Sequence, residues 1–342
     1  MSFSAAATPA DPYFDPPLDA WMITRYQDVA AALREPRLIP SLARSTAPAS
    51  PIDRATHADF RAQALRALSP AAIEQCERRF ALAANHLAST LPTGEPVDLI
   101  KRFARPYSLE TACIAADVAS GECVRLAALA RHIFDSACEP YDEALARRAQ
   151  QATIELAVFF RGAPPWTMQM FIALAHSLAA FLGNAWCALL ESPAEIADIP
   201  KAMDELLRLA GPAKAQFRQA AAPVTIRDCT IARDQRVILR LDIANRDPDE
   251  FPSPHELRFD RRSAPHLAFG GGLHACVGAA LIRSAAAAAT GALLDRFELT
   301  EHIAVPVDCF AVRYVSSFES RLAEKTGGRI DGHSRSLSKK SP

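Results

Sequence analysis

The sequence predicts a mainly α protein with small β-sheets, and three observations carry that class. Apolar residues recur at helical spacing through most of residues 26–209. Two-residue alternation is confined to short pieces. No strand–helix–strand rhythm and no internal repeat runs along the chain, which argues against both a parallel crossover sheet and a solenoid. Length agrees, because 342 residues, half of them apolar, can bury a large core.

Taken in order, AWMIT from residue 20 reads as the first strand. Helices follow as RYQDVAAALRE from 25, HADFRAQALRAL from 57, AAIEQCERRFALAANHLASTL from 71 and PYSLETACIAADVA from 106. Most are bounded by Pro, Gly, Ser or Asp. DEALARRAQQATIELAVFFR from 142, WTMQMFIALAHSLAAFLGNAWCALLES from 166 and IPKAMDELLRLA from 199 complete the helical part. The middle one of these is the most apolar, but His176, Ser177 and Asn184 interrupt it. No window reaches the ~18 uninterrupted apolar residues of a bilayer span, so no membrane is expected. APVTIRDCTIARDQRVILRL from 222 and FAVRYVSS from 310 read as strands. NRDPDEFPSPHELRFDRRSAP, from 245, is long for a stretch without regular structure, which marks it as functional or tightly packed.

Bulk properties narrow the function. A net charge of −1 gives nucleic acid or an anionic membrane no purchase as main partner. The first residues lack a basic segment followed by an apolar core, so a cytoplasmic location is expected. The expected division is a flexible segment over 1–18, a single domain over 19–322 and a disordered basic tail over 323–342. The eight cysteines are scattered without a CxxC pair, which argues against a disulfide framework and a structural zinc. Most read as small buried apolar fillers, with Cys276 set apart.

Cys276 lies in HLAFGGGLHACVGAALIRSAAAAATGALLDRF, residues 266–297. Gly270, Gly272 and Ala275 fit the loose dinucleotide pattern, but the strand–helix–strand context is missing. His274 and Cys276 alone are too few ligands for zinc. A nucleophilic cysteine stays open, with no base identified. A thiolate ligand to haem iron explains each residue. The start of the following helix stabilises an anionic sulfur and lowers its pKa. Gly270, Gly271, Gly272 and Gly278 let backbone approach a flat macrocycle, and Phe269 packs beside the sulfur.

FGGGLHACVG resembles the cysteine-ligand signature of cytochrome P450s, F-G-x-G-x-H-x-C-x-G, at every fixed position. ELLR, from Glu205 to Arg208, resembles the family's Glu-x-x-Arg motif, with Arg261 as third member of the ion-pair network. HADFR resembles its His-x-x-x-Arg motif, and ANRDPDEFP its segment leading to the cysteine loop. The resemblance implies the cytochrome P450 fold, a haem b cofactor, and Cys276 as iron ligand with Phe269, Gly270 and Gly278 around it. It also implies that His57, Arg61, Arg218 and His274 hold the two propionates. Spacing supports the first pair independently, since positions i and i+4 share a helix face.

Two departures stand out. The family's A-G-x-(Asp/Glu)-Thr, which delivers protons to bound oxygen, is matched by ALAHS over residues 173–177. Leu174 replaces glycine, His176 the acid and Ser177 the alcohol. Both His176 and Ser177 can move protons, and a packing histidine is the alternative. The chain is also short for the family, with the loss placed between about 121 and 173, in the roof of the substrate pocket, and just after ESPAE. The resemblance implies a monooxygenase acting on a small organic substrate of secondary metabolism, with electrons from a separate ferredoxin or flavoprotein, as monomer or dimer. A peroxygenase or isomerase/dehydratase of the same fold, and a non-catalytic haem-binding or auxiliary protein, are the alternatives.

Overall fold

Pro165–Leu190 (α7) is apolar on nearly every face, and a helix of that kind has to be surrounded. The computed structural model, which describes residues 8–41, 43, 54–192, 196, 198–261 and 265–325, places it at the centre of the helical core. By length and composition α7 could cross a membrane, but here its apolar surface is spent on protein.

The elements preceding it are β1 (Tyr13–Asp15), β2 (Ala20–Ile23), α1 (Tyr26–Arg34), β3 (Leu38–Pro40), α2 (Arg54–Ala67), α3 (Pro70–Ser89), β4 (Pro96–Asp98), α4 (Arg105–Ala116), α5 (Ser120–Cys138) and α6 (Glu143–Phe159). After α7 come α8 (Ile199–Ala210), β5 (Ala215–Ala220), β6 (Val224–Ile226), β7 (Cys229–Ile231), β8 (Arg236–Arg240), α9 (Leu241–Ala244), α10 (Ala279–Arg296), β9 (Phe297–Asp308) and β10 (Arg313–Glu324). Helix starts follow capping chemistry. Ser69 accepts from Ala72 N ahead of Pro70, Asp142 from Ala144 N and Leu145 N, and Asp198 from Lys201 N.

The mainly α class with small sheets holds. A five-stranded sheet, ordered β1-β2-β8-β5-β3, stacks beside α1. Its β2–β8 pair is parallel and its other pairs are antiparallel. A three-stranded sheet, β4-β10-β9, and the β6–β7 hairpin complete the strands. Asn184 ties α7 into this frame, donating through Nδ2 to the carbonyls of Ala210 at 3.1 Å and Arg313 at 3.0 Å.

Four expectations change. Residues 13–15, within the segment expected to be flexible, form β1 on the edge of the larger sheet; residues 1–7 lie outside the described residues. Ala323 and Glu324 complete β10, while 326–342 lie outside the described residues. The stretch from 121 to 173, expected to have lost its roof, holds the long helices α5 and α6, and only the link through Gly162 to α7 is short. Cys113 on α4 and Cys123 on α5 form a disulfide, with Cα atoms 6.3 Å apart, where only buried thiols were expected.

Candidate functional site

The cysteine loop is fastened before it reaches Cys276. Gly270 N–H donates to Leu267 O at 2.8 Å, and Cys276 N–H donates to Phe269 O at 2.9 Å. Neighbouring protein also constrains two of the loop glycines, Gly270 and Gly272. Gly270 has φ +68°, and a Cβ there would lie 2.8 Å from Gln216 Nε2. Gly272 has φ +63°, and its Cβ would lie 2.5 Å from the Leu33 carbonyl of α1. Gly278, by contrast, lines a cleft. Phe269 packs behind the loop, with the Arg283 guanidinium 4.9 Å from its ring centroid and His266 at 5.6 Å.

The loop's long approach is fixed by a buried charge cluster, as the motif predicts. Arg208, 2% exposed, pairs with Glu205 through two bonds of 2.7 and 2.8 Å. Arg261 Nε donates to Glu205 Oε1 at 3.1 Å. The same guanidiniums satisfy carbonyls of the irregular Pro-rich segment, Arg208 on Asn245 and Pro254, and Arg261 on Pro252 and Ser253. Backbone that no sheet or helix pairs is thereby held in place.

Cys276 lies at the floor of a cleft of about 280 Å³ between α2, α7 and α10. Ala173, Leu174 and Trp166 of α7 line it opposite the sulfur, and His57, Arg61 and His274 line its polar side. The four residues assigned to the propionates do come together. The His57 and His274 rings are 4.5 Å apart, and Arg61 Nη1 donates to Ala275 O at 2.6 Å. Burial first, then His57, Arg218 and Arg61, push the His274 pKa down to about 4. Arg218 is 5% exposed and donates to Gln216 Oε1 at 2.7 Å and Phe217 O at 2.9 Å. Burial pulls its pKa down to about 10, and no described carboxylate pairs with it. Two guanidiniums, one of them buried, and two imidazoles, with no described carboxylate partner and beside a mostly apolar cleft that holds a thiol, fit a flat apolar group carrying two carboxylates.

Burial raises the Cys276 pKa, and the Gly278 N–H, Arg61 and Arg283 oppose it without winning. The expected lowering by the helix start is therefore corrected. Cys276 sits three residues before α10 begins, so the helix reaches it only through the Gly278 N–H. An anionic sulfur at this depth would need a cation beyond those that the protein places beside it.

His176 and Ser177 are not brought into the cleft. His176 turns to α5, with Nε2 2.9 Å from Ala127 O and its ring 5.7 Å from Phe134. Its catalytic assignment is corrected to packing, because its position on α7 faces a neighbouring helix. Ser177 is half-buried one turn beyond Ala173, on the stripe that continues from the cleft. Burial holds the His176 pKa below the ordinary imidazole value, with the Ala127 carbonyl opposing. The unfolded chain then takes up the proton more readily, so this contribution to stability is full above about pH 6.5 and is lost as pH falls. His176→Gln is expected to flatten the fall of Tm between about pH 7 and 5, measured by thermal melts.

Sequence reasoning missed Gln216, which meets both Arg218 and Gly270. Alternation along a strand places residues 216 and 218 on one face and could have revealed it. It also missed the clamp of Asp204 on Arg283, at 2.6 Å, whose signal is only an ordinary surface charge pattern.

A family model described as cytochrome P450 matches residues 196–310, which include the charge cluster and the cysteine loop. The chain is 27% identical over 353 aligned residues to cytochrome P450 107B1 of Saccharopolyspora erythraea, covering 85% of each. It is 27% identical to the mycinamicin IV hydroxylase/epoxidase of Micromonospora griseorubida, over 81% of this chain and 82% of that one. The ligand-free structure of cytochrome P450 TbtJ1 matches with a TM-score of 0.78 at 25% identity, covering 91% of this chain and 94% of that one. Likeness that runs through nearly the whole fold, and centres on the loop that presents Cys276, supports a cytochrome P450.

Proposed function

We propose that Cys276 supplies the sulfur ligand of the haem b iron in this monooxygenase and that its substrate is a small organic molecule of secondary-metabolite type. One observation supports the reading above all: His57, Arg61 and His274 line the cleft that also holds Cys276, with Arg218 close enough to act on His274, and no carboxylate among the described residues pairs with any of the four. Bound haem supplies dioxygen activation, which electron donation from sulfur promotes.

The chain's own residues do the remainder. Arg61 and Arg218 bind the propionates by charge-assisted hydrogen bonds, with His57 and His274 donating beside them. Trp166, Ala173 and Leu174 give the substrate an apolar wall and keep water from the reacting face. Ser177 carries an exchangeable proton at Oγ on the same stripe of α7. Electrons come from a separate ferredoxin or flavoprotein. The relative that acts on mycinamicin IV supports the substrate class.

The test is a screen of secondary metabolites for a shift of the haem spin state, followed by turnover in labelled dioxygen with a ferredoxin and its reductase. Incorporation of one labelled oxygen atom per product is expected. Turnover with peroxide alone would replace this reading with a peroxygenase, a second reading favoured by His176 being bonded to Ala127 rather than turned to the cleft.

A further inference from the structure

Ser108 on α4 is fully buried in an otherwise apolar helix contact. A serine inside a helix ordinarily returns its hydroxyl to a carbonyl of its own preceding turn. Here the hydroxyl crosses to α7 instead. Ser108 Oγ donates to Leu174 O at 2.5 Å and accepts from Ala179 N–H at 3.2 Å. These two backbone groups are five residues apart. In a regular α-helix Leu174 O serves the N–H of residue 178, and Ala179 N–H serves the carbonyl of residue 175. The serine therefore bonds both ends of one turn of α7, which is α-helical from Pro165 to Leu190, and adds a side-chain bridge to its backbone ladder. That turn begins at Leu174, which lines the cleft opposite Cys276, and contains Ser177. The bridge comes from α4, so the seating of this turn against its neighbour depends on one hydroxyl.

We infer that Ser108 is a positioning residue for the oxidation, pinning residues 174–179 of α7 against α4 so that the cleft wall and Ser177 keep their placement. The inference rests on the haem-thiolate reading above. It goes beyond it in assigning a role to a residue that touches neither cofactor nor substrate.

The experiment uses the full-length haem-loaded protein as wild type, Ser108→Ala and Ser108→Thr, with melting temperature, carbon monoxide stretching band, and product formed per electron consumed as readouts. Both variants are expected to melt lower, Ala through lost hydrogen bonds and Thr through an added methyl in a filled site. Only Ser108→Ala should shift the stretching band and reduce product per electron, by about fivefold, in favour of peroxide release. Ser108→Thr, which retains the hydroxyl, should keep both near wild type. If Ser108→Ala does not accumulate, Ser108→Cys, of similar size but weak hydrogen bonding, should give the same split. Unchanged coupling and an unchanged stretching band in Ser108→Ala, with only Tm lowered, overturn the inference while leaving the haem-thiolate reading intact. A wild-type protein lacking the thiolate-ligated carbon monoxide band overturns both.

Discussion

Replacing Arg208 with alanine is expected to cost about 3–5 kcal/mol of stability, measured by denaturant unfolding, because it strands a buried carboxylate. Glu205 is 8% exposed and would keep only Arg261 and the Arg258 N–H. The carbonyls of Asn245 and Pro254 would lose their donor at the same time, and that of Glu256 would keep Arg261 alone among the described residues. Arg208→Lys is expected to recover only part of this, since one ammonium cannot reproduce the two-pronged pairing. The i,i+4 pair of Arg78 with Glu74 is a control, as both side chains are 67% exposed and its loss should change stability by less than about 0.5 kcal/mol.

Replacing Arg218 with methionine is expected to act with opposite signs on the protein with and without haem. The guanidinium is buried beside Gln216 and Phe217 with no described carboxylate, and burial has pulled its pKa down to about 10. That shift corresponds to a penalty on the order of 3 kcal/mol, so methionine should raise the Tm of haem-free protein. In the loaded protein the same substitution removes a cation from a propionate, and haem affinity should fall about a hundredfold. Haem transfer to an acceptor globin measures the second effect. A fall in both quantities would mean that Arg218 serves the fold rather than the cofactor.

The parts of this molecule that were legible in the sequence are those where residue type and spacing are dictated together. The cysteine loop, the Glu205–Arg208–Arg261 cluster and the i,i+4 pair His57 and Arg61 all lie where their spacing puts them. Seven helices were readable from apolar periodicity, but α5 was not. Its buried positions include Cys123 and Ala130, small residues interleaved with Arg125 and Arg131, so its stripe is faint. Strand β9 pairs along its length with β10 but carries Pro306 and exposes Ile303 and Val305 at a sheet edge, which blurs the alternation. The direction in which His176 points depends on how α7 is rotated against α5, and the roles of Gly270 and Gly272 depend on what α1 and β5 bring to them. Neither is encoded within a short motif. The link between Cys113 and Cys123 likewise follows from how α4 meets α5, which the scattered spacing of the cysteines does not reveal.

The central claim, that the Cys276 sulfur is the iron ligand, is tested most directly by the carbon monoxide difference spectrum of the reduced haem-loaded protein. The red-shifted band of thiolate ligation is expected in the wild type and in Cys187→Ala, whose cysteine is buried within α7 away from the cleft, and should vanish in Cys276→Ala. A wild-type band at the shorter wavelength of histidine ligation, or a thiolate band that survives in Cys276→Ala, would contradict it.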